Sequence, residues 1–237
     1  MLKISNLSKS YKSSHKAVDN LSLAAAAGDL FGFIGHNGAG KTTTLKCVAG
    51  IIEFEAGEIM IGGKSVKTQP MECKRQTAYL PDNPDLYEYL TGIQYLGFIA
   101  DVFDVSNSDR QKAIQKYGDL FELTRNLGDF IASYSHGMKQ KLALISAFIH
   151  APKLLVLDEP FVGLDPKAAF VLKQEMKEFC QQGGAIIFST HVLEVAEKLC
   201  NKVAVIKSGR LVASGPTPEI LGARSLEQVF MELIRHE

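Results

Sequence analysis

Apolar and polar residues alternate through Leu2, Ile4 and Leu7 and again from Val18 to Ala25, a period of two that predicts two strands, each with one buried face. GEIMIGGK (57–64) repeats the pattern and ends in a Gly-Gly turn. No long helical pattern separates these early strands, so they predict an antiparallel piece. Three other stretches carry unbroken apolar runs: LFGFIG (30–35), KLLVLDEP (153–160) and GAIIFSTH (184–191). Each leads into a loop and then a helical pattern. Strands buried on both faces and alternating with helices predict a parallel sheet covered on both sides. VAVIKSGRLVASG (203–215) reads as a hairpin turning at Ser208-Gly209.

From about 85 to 150 the period changes. Strand runs vanish, and helical spacing takes over through Tyr95, Leu96, Phe98 and Ile99, then Ile114 to Leu123, then Leu142 to Ile149. The expectation is one α/β domain over 1–237 with a helical subdomain inserted at about 85–150. SLEQVFMELI (225–234) predicts a closing helix within a helical end at about 216–237.

Composition narrows the function. The chain has 237 residues with 26 basic and 26 acidic side chains, and this balance gives no support to a nucleic-acid partner held by broad electrostatics. The four cysteines, Cys47, Cys73, Cys180 and Cys200, form no C-x-x-C pair, which argues against a zinc or redox site and for buried or free thiols. The N-terminus does not read as a signal peptide, and no apolar run is long enough to cross a bilayer. Any membrane crossing would have to come from another chain.

Chemistry concentrates in GHNGAGKTT (35–43), where Gly35, Gly40, Lys41 and Thr42 satisfy G-x-x-x-x-G-K-[ST] between a strand and a helix. Glycine backbone can curl its N–H groups toward phosphate oxygens, and the helix that follows adds its positive end. Lys41 supplies a full charge near the β- and γ-phosphates, and the Thr42 hydroxyl can ligate Mg²⁺. His36 and Asn37 serve the loop's geometry; with Gly38, Ala39 and Thr43 they complete the cradle. This implies a nucleoside triphosphate. In LLVLDEP, Asp158 can hold Mg²⁺, usually through water, and Glu159 can polarise an attacking water as a general base. A GTPase is disfavoured, because Asn201-Lys202 runs on into Val203-Ala204 and lacks the guanine-reading aspartate.

Taken in order, these motifs resemble the ATP-binding subunit of an ABC transporter, from about residue 2 to the closing helix. GHNGAGKTT is similar to that family's Walker A, and LLVLDEP to its Walker B with a catalytic glutamate. VGLDP (162–166) resembles the D-loop, with Asp165 as its aspartate, and STH (189–191) the switch histidine, His191. Tyr11 stands where the family stacks an aromatic ring on adenine. YSHGMKQK (134–141) resembles the signature motif Leu-Ser-Gly-Gly-Gln: Ser135 and Gly137 match, while Tyr134, His136 and Met138 depart. Asp82 occupies a usual glutamine position; it either reaches Mg²⁺ or only turns its loop.

The resemblance implies a P-loop NTPase fold with a mixed core sheet, an N-terminal antiparallel β subdomain and the inserted helices. It also implies ATP and Mg²⁺, with Thr42, Asp158 and Asp82 on the metal. Catalysis falls to Glu159, His191 and Lys41, and ATP is sandwiched against Ser135 and Gly137 of a second ATPase subunit, identical or closely homologous. An integral membrane subunit would complete an exporter, leaving this chain peripheral on the cytoplasmic face of the cell membrane. The alternative is a soluble ABC ATPase in a non-transport complex.

Overall fold

The computed structural model describes residues 1–11 and 16–235. Two sheets organise it. The smaller is antiparallel, with strand order β2-β1-β4-β5, made from β1 (Leu2–Ser10), β2 (Lys16–Ala25), β4 (Ala56–Ile61) and β5 (Lys64–Ser65). The apolar pattern of β1 skips a step between Ile4 and Leu7. There the chain shifts register beside Asn6, which adopts φ 51, so Leu7 returns to the buried face.

The larger sheet has the order β10-β9-β3-β8-β7-β6. Its strands are β3 (Leu30–Ile34), β6 (Thr77–Leu80), β7 (Leu154–Asp158), β8 (Ala185–Thr190), β9 (Lys202–Lys207) and β10 (Arg210–Pro216). Five run parallel, and β10 pairs antiparallel with β9. The hairpin turns on Ser208 and Gly209, both at positive φ, which matches the twist of the strands it joins.

Helix α1 (Lys41–Val48) follows β3 directly and lies between the two sheets. Leu154 and Val156 of β7 face that interior, with Phe31 and Phe33 of β3. Leu155 and Leu157 face the other way, into a second core beneath the helices. This is why the central strands read as unbroken apolar runs. At Gly32 an added Cβ would lie 2.8 Å from Cys200 Sγ, so Cys200, at the end of the helix before β9, packs over bare backbone. All four cysteines are free and buried, and burial pushes the Cys47 and Cys180 thiols up to about 12.

Helix α2 (Pro70–Arg75) precedes β6. Between β6 and β7 the described chain holds α3 (Gly92–Val102), α4 (Asn107–Leu120) and α5 (His136–Phe148), with short 3₁₀ turns and one isolated bridge from Thr91 to Phe130. Thr91 starts α3 with a reciprocal cap to Gln94, and Ser106 and Ser135 cap α4 and α5. Helices α6 (Pro166–Gln181) and α7 (Leu193–Leu199) connect the later strands, and α8 (Thr217–Leu221) and α9 (Leu226–Arg235) close the chain. Among the described residues no helix is long and apolar enough to cross a membrane.

Candidate functional site

The glycine loop leaves β3 at the carboxyl edge of the parallel strands, where open α/β sheets offer their ligand crevice. Its curl depends on bare backbone. Gly40 adopts φ 106, and a Cβ there would sit 2.3 Å from the Ala17 carbonyl oxygen. The β9–β10 turn supports the loop from behind, with Gly209 N–H donating to Ala39 O at 2.8 Å. Lys41 is buried, and its Nζ donates to Gly35 O at 2.7 Å and His36 O at 3.3 Å, folded back on its own loop. Burial lowers the Lys41 pKa, while the charges of Glu159 and Asp158 pull it upward. A cationic side chain held by two carbonyls and facing two carboxylates is suited to an incoming polyphosphate.

The loop opens on a cleft of about 370 Å³ whose walls include Thr42, Thr43, Asp82, Asp158 and Glu159. Residues 118–122 positions apart in sequence, Asn37 to Lys41 on one side and Glu159 on the other, thus share one cavity. Asp158 is only 1 % exposed. Ser189 Oγ donates to its Oδ1, whereas Oδ2 is buried with no hydrogen-bond partner. A buried carboxylate oxygen without a donor needs one, or needs a cation. Together with the Thr42 hydroxyl and the exposed Asp82, it offers the all-oxygen donor set that Mg²⁺ prefers. Asp82 Oδ1 already accepts from Asn83 N–H, so the carboxylate also turns its loop.

Glu159, just after β7, adopts φ 47, and its N–H donates to Ser189 Oγ at 3.0 Å. His191 Nδ1 lies 3.0 Å from Glu159 Oε2. Tyr11 stands beside the loop's helix, with its hydroxyl 3.4 Å from Thr43 Oγ1 and its ring 54 % exposed and open to stacking. His36 Nδ1 contacts Asn37 O at 2.7 Å, a local bond that shapes the turn.

Ser135, Gly137 and Asp165 lie outside this cleft. Ser135 Oγ accepts from Met138 N–H at the start of α5. A Cβ on Gly137 would come 2.9 Å from Gly163 O, and a Cβ on Gly163 would meet the His136 ring at 2.6 Å, so the α5 start packs closely on the loop after Glu159. Asp165 caps α6 through Ala168 N–H at 2.8 Å and pairs with Lys141 Nζ at 2.7 Å, the first of which contacts lowers its pKa less than the Lys141 bond does. Tyr134, which departs from the signature pattern, is buried and donates from its hydroxyl to Asn126 O at 2.6 Å.

Three residues escaped the sequence reading. Ser189 binds both Asp158 and the Glu159 amide across 30 residues or more. The Tyr79 hydroxyl is buried without a partner; burial raises its pKa, with the Asp158 and Asp82 charges adding to the effect. Gln140 is fully buried on α5 against Pro160. Ser189 lies within STH and Gln140 within YSHGMKQK, but neither is a position from which those motifs are read, and Tyr79 lies in no such motif.

Comparison with known proteins fits this arrangement. Residues 18–162 match the family model described as ABC transporter. The chain is 31 % identical over 242 residues to the ABC-type transporter ATP-binding protein EcsA of Bacillus subtilis (strain 168), covering 100 % of this chain and 98 % of that one. It is 32 % identical over 221 residues to the Nod factor export ATP-binding protein I of Cupriavidus metallidurans, covering 93 % and 73 %. Among solved structures, an ATP-binding subunit of an ABC transporter superposes with a TM-score of 0.95 at 34 % identity, covering 99 % of this chain and 100 % of that one. The chain belongs to the ABC transporter family, as an ATP-binding, ATP-hydrolysing subunit.

Proposed function

We propose that this chain is the motor of an exporter, closing on ATP with a second ATPase subunit and driving a separate integral membrane subunit. The observation that carries the reading is the single cleft in which Lys41, Asp158 and Glu159 converge, with His191 on the glutamate. Adenine stacks on Tyr11, and the backbone from Gly35 to Thr43 surrounds the phosphates, with Lys41 turning from its carbonyls to the β- and γ-phosphates. Mg²⁺, held by Thr42, Asp158 and Asp82, would neutralise phosphate charge. The second subunit presents Ser135 and Gly137 at the positive start of α5, with Asp165 beside them.

Glu159 then accepts a proton from the attacking water as its oxygen bonds to the γ-phosphorus. The bond between the γ-phosphorus and the bridging oxygen breaks, and ADP and phosphate leave. His191 orients Glu159 and meets the γ-phosphate. Loss of the γ-phosphate removes the bridge between subunits and they part. The segment of about 85–150 passes this motion to the membrane subunit, which anchors the chain at the cytoplasmic face. The export direction is supported by the sequence resemblance and by the name of the Cupriavidus relative.

The test uses tagged Glu159→Gln protein. Turnover should fall by about 10²–10⁴-fold with ATP binding retained. Pulled from native membranes in mild detergent with ATP, the variant should bring down a multi-spanning protein in stoichiometric amount, identified by mass spectrometry. Near-normal turnover would overturn the role of Glu159. Recovery with ribosomes or a soluble complex alone would overturn the transport reading.

A further inference from the structure

Gln140 lies on α5 within two turns of Ser135 and is 0 % exposed. Its Nε2 reaches the Pro160 carbonyl oxygen at 3.5 Å, while its Oε1 has no partner among the described residues. Turning the amide over would set one oxygen against another, so the orientation follows from Pro160. A buried acceptor left without a donor lowers stability, and an apolar side chain of similar length would fill the space without that cost. Stability therefore does not account for a glutamine here.

The neighbourhood suggests what does. Pro160 directly follows Glu159, which is held at φ 47 with its N–H on Ser189. One residue beyond Gln140, Lys141 Nζ pairs with Asp165 at 2.7 Å, and between these tethers Gly163 lies against the His136 ring. The segment from Glu159 to Asp165 is thus attached to α5 near both ends and in the middle.

We infer that Gln140 is a positioning residue for Glu159: its bond to the Pro160 carbonyl links the start of α5, where the second subunit's phosphate is met, to the backbone that aims the general base. This rests on the reaction proposed above. Gln140 itself is not among the residues that line the cleft.

The test is Gln140→Met, measured for melting temperature, ATP affinity, KM and kcat. Wild-type turnover and ATP-driven dimerisation in the Glu159→Gln background serve as controls. The expected result is a melting temperature unchanged or raised, ATP affinity, KM and dimerisation within about twofold, and kcat lowered about tenfold. A kcat within about twofold of wild type in a folded variant overturns the inference. So does a loss of kcat that tracks lower melting temperature or weaker ATP binding, because that is a packing defect. Lys141→Met loosens the other end of the segment without entering the core and should lower kcat in the same KM-independent way. Unfolded Gln140→Met with full activity in Lys141→Met also overturns the inference. Absence of wild-type hydrolysis would instead defeat the proposed reaction, and this inference with it.

Discussion

Two glycines in one loop should respond very differently to the same added methyl group. Gly38 adopts φ 80, and a Cβ there meets nothing within 4 Å. Gly38→Ala thus carries backbone strain alone, roughly 1–2 kcal/mol. Gly40 adopts φ 106, and its Cβ would approach the Ala17 carbonyl oxygen to 2.3 Å, well inside the 3.0 Å that Cβ atoms respect. Ala17 cannot retreat cheaply, because Gly209 packs against the same carbonyl and bonds to Ala39. Gly40→Ala should cost about 3 kcal/mol or more, combining strain with displacement of the loop. At about 2–4 °C per kcal/mol for a chain of this size, the expected falls in melting temperature are about 2–8 °C and at least about 6–12 °C. Binding of a fluorescent ATP analogue, read at equilibrium, should change by less than about tenfold in Gly38→Ala and weaken by more than about 100-fold in Gly40→Ala. Equal losses in the two variants would refute the argument that close approach, and not conformational freedom alone, fixes Gly40.

Ser135→Arg should remove a helix cap, at about 1 kcal/mol, and place a bulky cation at the α5 start. Because Ser135 lies outside the cleft, ATP binding to one subunit should persist while turnover falls at least about tenfold; unchanged turnover would remove the cross-subunit role. His150 concerns acid stability. It stacks on Phe103 with ring centroids 3.7 Å apart, and burial brings its pKa down to about 4, the nearby Thr77 and Ser146 carbonyls opposing this weakly. Below pH 6.5 the unfolded chain takes up a proton that the folded chain refuses, so stability falls from about pH 6.5 down to about pH 4, by on the order of 3 kcal/mol at most. His150→Phe keeps the stack and should flatten that decline. Urea midpoints at pH 7.5 and 4.5 check it, and an equal effect of the substitution at both pH values would refute the assignment.

The parts legible in the sequence were those where a local rule acts. Continuous apolar runs marked β3, β7 and β8 because both faces of the central sheet are covered. Gly40 marked its loop because few residues tolerate that backbone, and Ser208-Gly209 marked its turn for the same reason. What escaped depends on distance along the chain. β6 is four residues long, too short to show a period, yet it supplies the edge next to β7 and leads to Asp82. Ser189 lies in an apolar strand and gains its meaning only from the register that brings it beside Asp158. Asp165 is legible as the D-loop aspartate, but not its cap on α6 or its pairing with Lys141, which joins two helices.

The support of the glycine loop by Gly209 bears on how this protein is made. β3 sits between β8 and β9, so the strand that launches the loop lacks its second neighbour until about residue 207 has been synthesised. Gly209, which bonds Ala39, follows immediately. A nascent chain of 200 residues would already carry every side chain proposed to touch ATP, yet it would have an open sheet edge and an unsupported loop. Such non-local closure is slow, and an exposed strand edge invites pairing with other chains. Nucleotide affinity should therefore arise abruptly once Gly209 has been made and folded into place, after a long interval in which the growing chain depends on being shielded from its neighbours.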